Sequence, residues 1–193
     1  MARPKEFDHD IVVDKAINVF WAKGYEATSI QDLVDATEIN RGSLYNTFGD
    51  KAGLFSAVMD RYGESSPAKR LVDAAVDGPC RETIENLFAE MVDHAASDSK
   101  LRGCLMTNTA TELTGRDAAM ADRIRSAMRR FEDALCLLIE RGQENGEIAP
   151  WRGPRELARF LVSTAQGMQV IAKVEKDRHV LQDIADTALS LLD

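Results

Sequence analysis

Apolar residues recur at intervals of three and four along nearly the whole chain, with glycines and prolines read as falling between the runs. That period predicts an all-α protein. The first helix is expected from about Asp10 to Lys23, with Val12, Ala16, Val19 and Phe20 on one face and Phe20 and Trp21 supplying bulk. Gly24 is its left-handed stop. Ser29-Ile30-Gln31-Asp32 has the S-x-x-D form of a capping signature and opens a short helix to about Ala36. Thr37-Glu38-Ile39-Asn40 makes a turn, and Asn40 caps a second short helix, Arg41 to Thr47. Gly49-Asp50 breaks and recaps the chain into a helix from Lys51 to about Tyr62.

Ser66-Pro67 reads as an N-cap followed by a first helical residue, after the polar Gly63-Glu64-Ser65. The chain therefore divides into residues 1–62 and 63–193. Within 63–193 a helix runs from Pro67 to Gly78-Pro79, and another carries Ile84, Leu87, Phe88, Met91 and Ala95. A shorter helix runs from near Gly103 to Gly115. The longest spans about Asp117 to Asn145, with Met120, Ile124, Met128, Phe131, Leu135 and Leu138 on its apolar stripe and Gly146 as its stop. Gly153-Pro154 starts a helix bearing Leu157, Leu161, Thr164, Met168 and Ile171, and the last carries Leu181, Ile184, Ala188 and Leu191.

Two short helices joined by a tight turn match the geometry that places a second helix in a DNA major groove. Helical hairpins are common, but the polarity of this one is informative. From Asn40 to Thr47 only Leu44 is plainly apolar, so the helix gains little from burial and suits an exposed task. Leu44 and Phe48 would dock it, leaving Arg41, Ser43, Asn46 and Thr47 outward, side chains able to meet base edges or phosphates.

Residues 11 to 62, above all Phe20-Trp21-Ala22-Lys23-Gly24-Tyr25-Glu26-Ala27-Thr28-Ser29-Ile30 and Gly42-Ser43-Leu44-Tyr45-Asn46-Thr47-Phe48-Gly49-Asp50-Lys51, resemble the DNA-binding domain of TetR/AcrR-type regulators. The resemblance implies an N-terminal helix-turn-helix domain of three to four helices, followed by a helical bundle for ligand binding and dimerisation. It implies recognition-helix roles for Arg41, Gly42, Ser43 and Tyr45, with Tyr45 and Thr47 contacting backbone or base, and phosphate-contact roles for Thr28, Ser29 and Lys51. Thr47 departs from the family, where an aromatic residue or His is frequent, and so does Gly49, where Lys or another polar residue is common.

Charge complicates this. The whole chain carries −8, and residues 1–62 hold seven Lys and Arg against ten Asp and Glu, whereas a basic domain is the usual footprint of DNA binding. Binding must rest on placement: Arg3, Lys5, Arg41 and Lys51 as a local cationic strip, with Asp8, Asp10, Asp14 and Asp35 facing elsewhere.

The longest apolar run, Ala134 to Ile139, is six residues, against about 20 for a membrane-spanning helix. The start of the chain lacks an apolar signal region, so a cytoplasmic protein is expected. Three scattered cysteines, Cys80, Cys104 and Cys136, give neither a disulfide framework nor a zinc knuckle. His9, His94 and His179 are isolated, and neither metal nor cofactor is expected.

Seven methionines, most of them after residue 62, suit a deformable apolar cavity, and the resemblance implies an inducer pocket there. Phe88, Met91, Cys104, Met106, Asn108, Met128 and Phe131 are its candidate residues, although each also fits an ordinary core. Asn108 and Glu112 could face a ligand or cap neighbouring helices. Cys104 follows Arg102-Gly103 in a first helical turn and is either a small buried residue or a thiol that senses electrophiles or oxidants. Ala158, Ser163, Thr164, Ala165 and Gly167 permit close helix approach, and Leu161, Met168, Ile171, Ile184, Ala188 and Leu191 form the expected dimer surface. The reading is thus a homodimeric regulator, in the first place a repressor, that binds a palindromic operator in double-stranded DNA and is released by a small molecule. An enzyme using Cys104 with His94, and a helical binding protein that has lost DNA contact, are the alternatives; no Ser-His-Asp order, HExxH or Gly-rich phosphate loop supports the former.

Overall fold

The computed structural model describes residues 7–74, 78–98 and 100–193; Arg3 and Lys5 of the expected cationic strip lie outside them. All regular structure among the described residues is helical. Helices α1 (His9–Lys23), α2 (Ile30–Thr37), α3 (Arg41–Phe48) and α4 (Lys51–Glu64) make a first unit that ends at Glu64. A second unit begins at Ser65 and holds α5 (Pro67–Ala74), α6 (Cys80–Ser97), α7 (Leu105–Leu113), α8 (Ala118–Asn145), α9 (Pro154–Ile171), α10 (Arg178–Leu189) and a closing 3-10 turn, Ser190–Leu192. The predicted boundary after Tyr62 falls inside α4, which continues to Glu64.

In the first unit α1 begins where the Asp8 carboxylate accepts from the N–H groups of Asp10 and Ile11. It stops where Gly24, at φ +80°, returns its N–H to the Phe20 carbonyl. Val12, Val13, Ala16 and Phe20 are buried, so Val13 takes the inward place expected of Val19, which is half-buried. From α4, Leu54, Phe55, Val58 and Met59 complete the core, and the Phe55 ring stands edge-on to Phe20 at 4.8 Å. Trp21 packs at the margin, edge-on to Tyr62 at 5.2 Å.

The second unit is built on α8. Its buried residues Phe131, Ala134, Leu135, Leu138 and Ile139 share one core with Ile84, Leu87, Phe88, Met91 and Val92 of α6 and with the inward stripe of α9. Asp117 caps α8 by accepting from the Met120 N–H. Gly142, inside this helix, admits Ile148 so closely that a Cβ there would lie 2.6 Å from the Ile148 Cδ1.

That stripe of α9 corrects some of the expected dimer surface. Leu161 (0% exposed), Met168 (2%) and Ala188 of α10 (2%) lie in the unit's own core and offer no surface. Ile171, Ile184 and Leu191 are half-buried against it. The reason is that α9 carries apolar residues on two sides: Leu157, Leu161, Ala165 and Met168 face inward, while Phe160 (48% exposed) and Val170 (52%) face out with Ser163 and Gly167. Helical periodicity identifies both stripes without saying which is covered.

Candidate functional site

The two short helices of the first unit are capped by their own sequence. Ser29 Oγ accepts from the Asp32 N–H, while the Asp32 carboxylate accepts from the Ser29 N–H and hydroxyl, a complete capping box. The Lys23 ammonium donates to the same carboxylate at 2.5 Å. This bond first, then the Ser29 bonds, holds the Asp32 pKa down at about 2. The chain turns at Glu38, whose φ of 61° ends α2 and whose carboxylate takes the Lys15 ammonium at 2.8 Å. Asn40 Oδ1 then accepts from the Ser43 N–H at 2.8 Å and starts α3. A Cβ at Gly42 would stand 3.3 Å from that oxygen, so glycine leaves the cap undisturbed.

Of α3, only Leu44 is fully buried. Phe48 is half-buried with its ring 4.8 Å from that of His9. Arg41, Gly42, Tyr45, Asn46 and Thr47 are exposed and Ser43 is half-buried, so the candidate reading residues other than Thr28 and Lys51 lie on or beside one open face. An Arg41 N–H reaches the Gln31 amide oxygen at 3.5 Å, and the Gln31 amide donates to Asp35 at 2.8 Å. Asp35, expected to face elsewhere, is therefore joined to Arg41 through Gln31, a residue that sequence reasoning missed. The only available signal was its place in the first turn of α2, level with the start of α3.

Thr28 and Lys51 sit differently from the other candidate contacts. Thr28 is 1% exposed and donates its hydroxyl to the Gly24 carbonyl at 2.5 Å, so its side chain is occupied inside the unit. The Lys51 ammonium donates to the carbonyls of Tyr25 and Thr28 and covers the Tyr25 ring. A Cβ at Gly53 would lie 1.9 Å from the Phe48 carbonyl oxygen, which shows how closely α4 abuts the end of α3. Gly53 was also missed, although a glycine in the first turn of a predicted helix was a visible signal.

These contacts answer the charge problem by placement. Lys15, Lys23 and Arg61 are paired with Glu38, Asp32 and Asp14, and Asp8 and Asp50 cap α1 and α4. Arg41, by contrast, meets a neutral amide at the edge of the open face.

In the second unit the candidate pocket residues do not share one environment. Phe88, Met91 and Phe131 belong to the main core, whereas Cys104, Met106, Asn108 and Met128 are half-buried. The Asn108 amide donates to the Arg102 carbonyl at 2.9 Å and accepts from the Lys173 ammonium at 3.0 Å, ties that serve the fold. Cys104 is the N-cap residue of α7 and precedes its first turn. Arg102, the cation expected to act on it, is bound by Asp98. Burial pushes the Cys80 and Cys136 thiols upward, in the latter against the pull of Arg155. An open groove of about 350 Å³ lies between α6 and α10, lined by Arg81, Glu85, Gln182, Asp186 and Asp193 among others; of the candidate pocket residues it includes Phe88. Among the described residues no cluster of three His, Cys, Asp or Glu could hold a metal ion, and no helix is long and apolar enough to cross a membrane.

Comparison with known proteins matches both units. Residues 12–58 fit the family of bacterial regulatory proteins named for TetR, and residues 80–188 fit a tetracyclin repressor-like C-terminal domain. The chain is 36% identical over 190 residues to the HTH-type transcriptional repressor ComR of Escherichia coli K12, covering 98% of this chain and 90% of that protein. It is 34% identical to the HTH-type transcriptional regulator YezE of Bacillus subtilis 168, over the full length of both. Among solved structures, a cysteine-substituted TetR family transcriptional regulator CifR, complexed with 26-bp double-strand operator DNA, superposes with a TM-score of 0.83 at 31% identity over all of both chains. Both units thus match one family in sequence and fold, and the chain belongs to the TetR family of bacterial transcriptional regulators.

Proposed function

We propose that this chain is a homodimeric repressor that reads a palindromic operator with α3 and leaves it when a small-molecule effector binds the second unit. The open face of α3 carries this reading. Arg41, Tyr45 and Asn46 project from a helix anchored by Leu44, and such groups suit base edges and phosphates. CifR, a relative matched over its whole chain, is a regulator whose solved structure contains operator DNA.

Dimerisation is supported by the outward side of α9. Phe160, Val170 and, just beyond the helix, Val174 at 83% exposure leave apolar surface open, and the exposed Ser163 and Gly167 between them allow close approach of a second helix. Val180 of α10 is also exposed, with Ile184 and Leu191 half-buried beyond it. A two-fold dimer presents two copies of α3, so the operator half-sites stand about one helical turn, 34–36 Å, or a multiple of it apart. A coupling free energy of about 1–3 kcal/mol between effector and operator binding is enough to change operator affinity about 5- to 150-fold.

Sedimentation equilibrium of the free protein tests the dimer. A mass of twice 21.4 kDa is expected, and a monomer at micromolar concentration would contradict it. Competition between specific duplex and random duplex at fixed salt tests operator reading, where equal affinity for both would be the contrary result.

A further inference from the structure

The first turn of α4 abuts the end of α3, and Lys51 carries it across to the loop between α1 and α2. Its ammonium donates to the Tyr25 carbonyl at 2.9 Å and the Thr28 carbonyl at 3.0 Å, and lies 4.3 Å from the centroid of the Tyr25 ring. Tyr25 is itself packed against Phe55, ring centroids 4.9 Å apart. Thr28 closes the same loop, its hydroxyl bound to the Gly24 carbonyl and its N–H to the Tyr25 carbonyl. The next residue, Ser29, is the N-cap of α2. An ammonium has three donors, and here two are used on backbone carbonyls while the charge faces an aromatic ring. Moving it out to a phosphate would abandon all three contacts, two of them charge-assisted hydrogen bonds to backbone carbonyls.

We propose that Lys51 is a positioning residue for operator binding: it fixes the loop between α1 and α2, and with it the pose of α2 beside α3, without itself neutralising a phosphate. This rests on the DNA-reading function proposed above. It departs from the phosphate contact that the family resemblance implies for Lys51, and the two roles differ in their response to salt. A phosphate-bound lysine adds about 0.9 to the log–log salt slope per subunit, about 1.8 per dimer. A positioning lysine adds nothing.

The test uses the full chain and an operator duplex selected by the wild type. Lys51→Met keeps the apolar stem, Lys51→Arg keeps a cation able to serve both carbonyls, and Thr28→Val loosens the loop without altering charge. Amide exchange at Thr28, Ser29, Asp32 and Leu33, whose N–H groups are bonded in and beside the loop, is followed in the free protein, and operator affinity across a salt series. Faster exchange at these amides and at least about tenfold weaker binding are expected in Lys51→Met and Thr28→Val, because a local opening reaches the reading face. An unchanged salt slope is expected too, with recovery of protection and affinity in Lys51→Arg. Unchanged exchange in Lys51→Met, with a slope reduced by about 1.8 per dimer, would overturn the inference. If Lys51→Met does not fold, Thr28→Val decides alone, and wild-type exchange and affinity in that variant would overturn it. If the wild type selects no duplex, the proposed function fails and the inference with it; a loss of slope in the presence of wild-type operator binding overturns the inference only.

Discussion

A methyl group added at Gly53 would lie 1.9 Å from a backbone oxygen, that of Phe48, and a backbone atom cannot swing aside as a side chain can. Gly53→Ala should destabilise the first unit by about 3 kcal/mol, at the upper end of overpacking costs. Gly63, in the last turn of α4, has open space around the same atom, and Gly63→Ala should be neutral or stabilising by about 0.5–1 kcal/mol. Urea unfolding of the two variants checks the contrast, and equal midpoints would refute it. Asp32 supplies a second test at this scale. Its pKa is held at about 2 when folded, below the usual 3.8, so its contribution to stability is present above about pH 4 and is lost as the pH falls through 2. The acid limb of the urea midpoint against pH should flatten in Asp32→Asn, while an unchanged limb would show that the Lys23 and Ser29 bonds do not contribute. The capping role of Ser29 with Asp32 was legible in four letters of sequence. The inward turn of Thr28 was not, because a threonine before an N-cap can equally point out to solvent.

Among the elements, α3 draws little support from burial, with Leu44 its only fully buried residue, so its cap matters more than usual. Asn40→Ala should cost about 1 kcal/mol of unfolding free energy. Asn40→Asp should keep the cap and stability yet weaken operator binding, since it adds negative charge at the edge of the face proposed to meet DNA. Urea unfolding and duplex titration on the same preparations separate the two effects; loss of stability in Asn40→Asp, or unchanged binding in it, would contradict this account. Helix positions could be read closely because period, cap and stop residues agreed: α8 was expected from about Asp117 to Asn145 and spans Ala118–Asn145 with Asp117 as its cap. Which of two apolar stripes faces inward could not be read in the same way. Leu161 and Phe160 are adjacent and both apolar, and only the packing of α9 on α8 and α6 decides that Leu161 is covered and Phe160 is not.

At the scale of the whole molecule, an acidic chain has to meet DNA through a few well-placed cations. If Arg3, Lys5 and Arg41 act while Lys51 does not, the log–log salt slope should be about 4–6 per dimer; one steeper than about ten would mean that many more phosphates are neutralised than this surface offers. Dimerisation should fail in Val170→Arg, which places charge on the exposed side of α9, and sedimentation should then give a monomer that still unfolds cooperatively. Leu161→Ala should instead cost about 2–5 kcal/mol of stability while the dimer persists at low temperature. The order of the two units was legible because α3 is polar where a core helix would be apolar. The proposed effector site was not, since Phe88, Met91 and Phe131 serve the core in which a pocket would have to open. The central claim, that α3 reads sequence, is tested most directly by selecting bound duplexes from a randomised pool with the wild type and with an Arg41→Ala, Tyr45→Ala double variant. Enrichment of a palindrome by the wild type alone is the predicted result, and failure of the wild type to enrich any sequence, or enrichment of the same palindrome by both proteins, would contradict it.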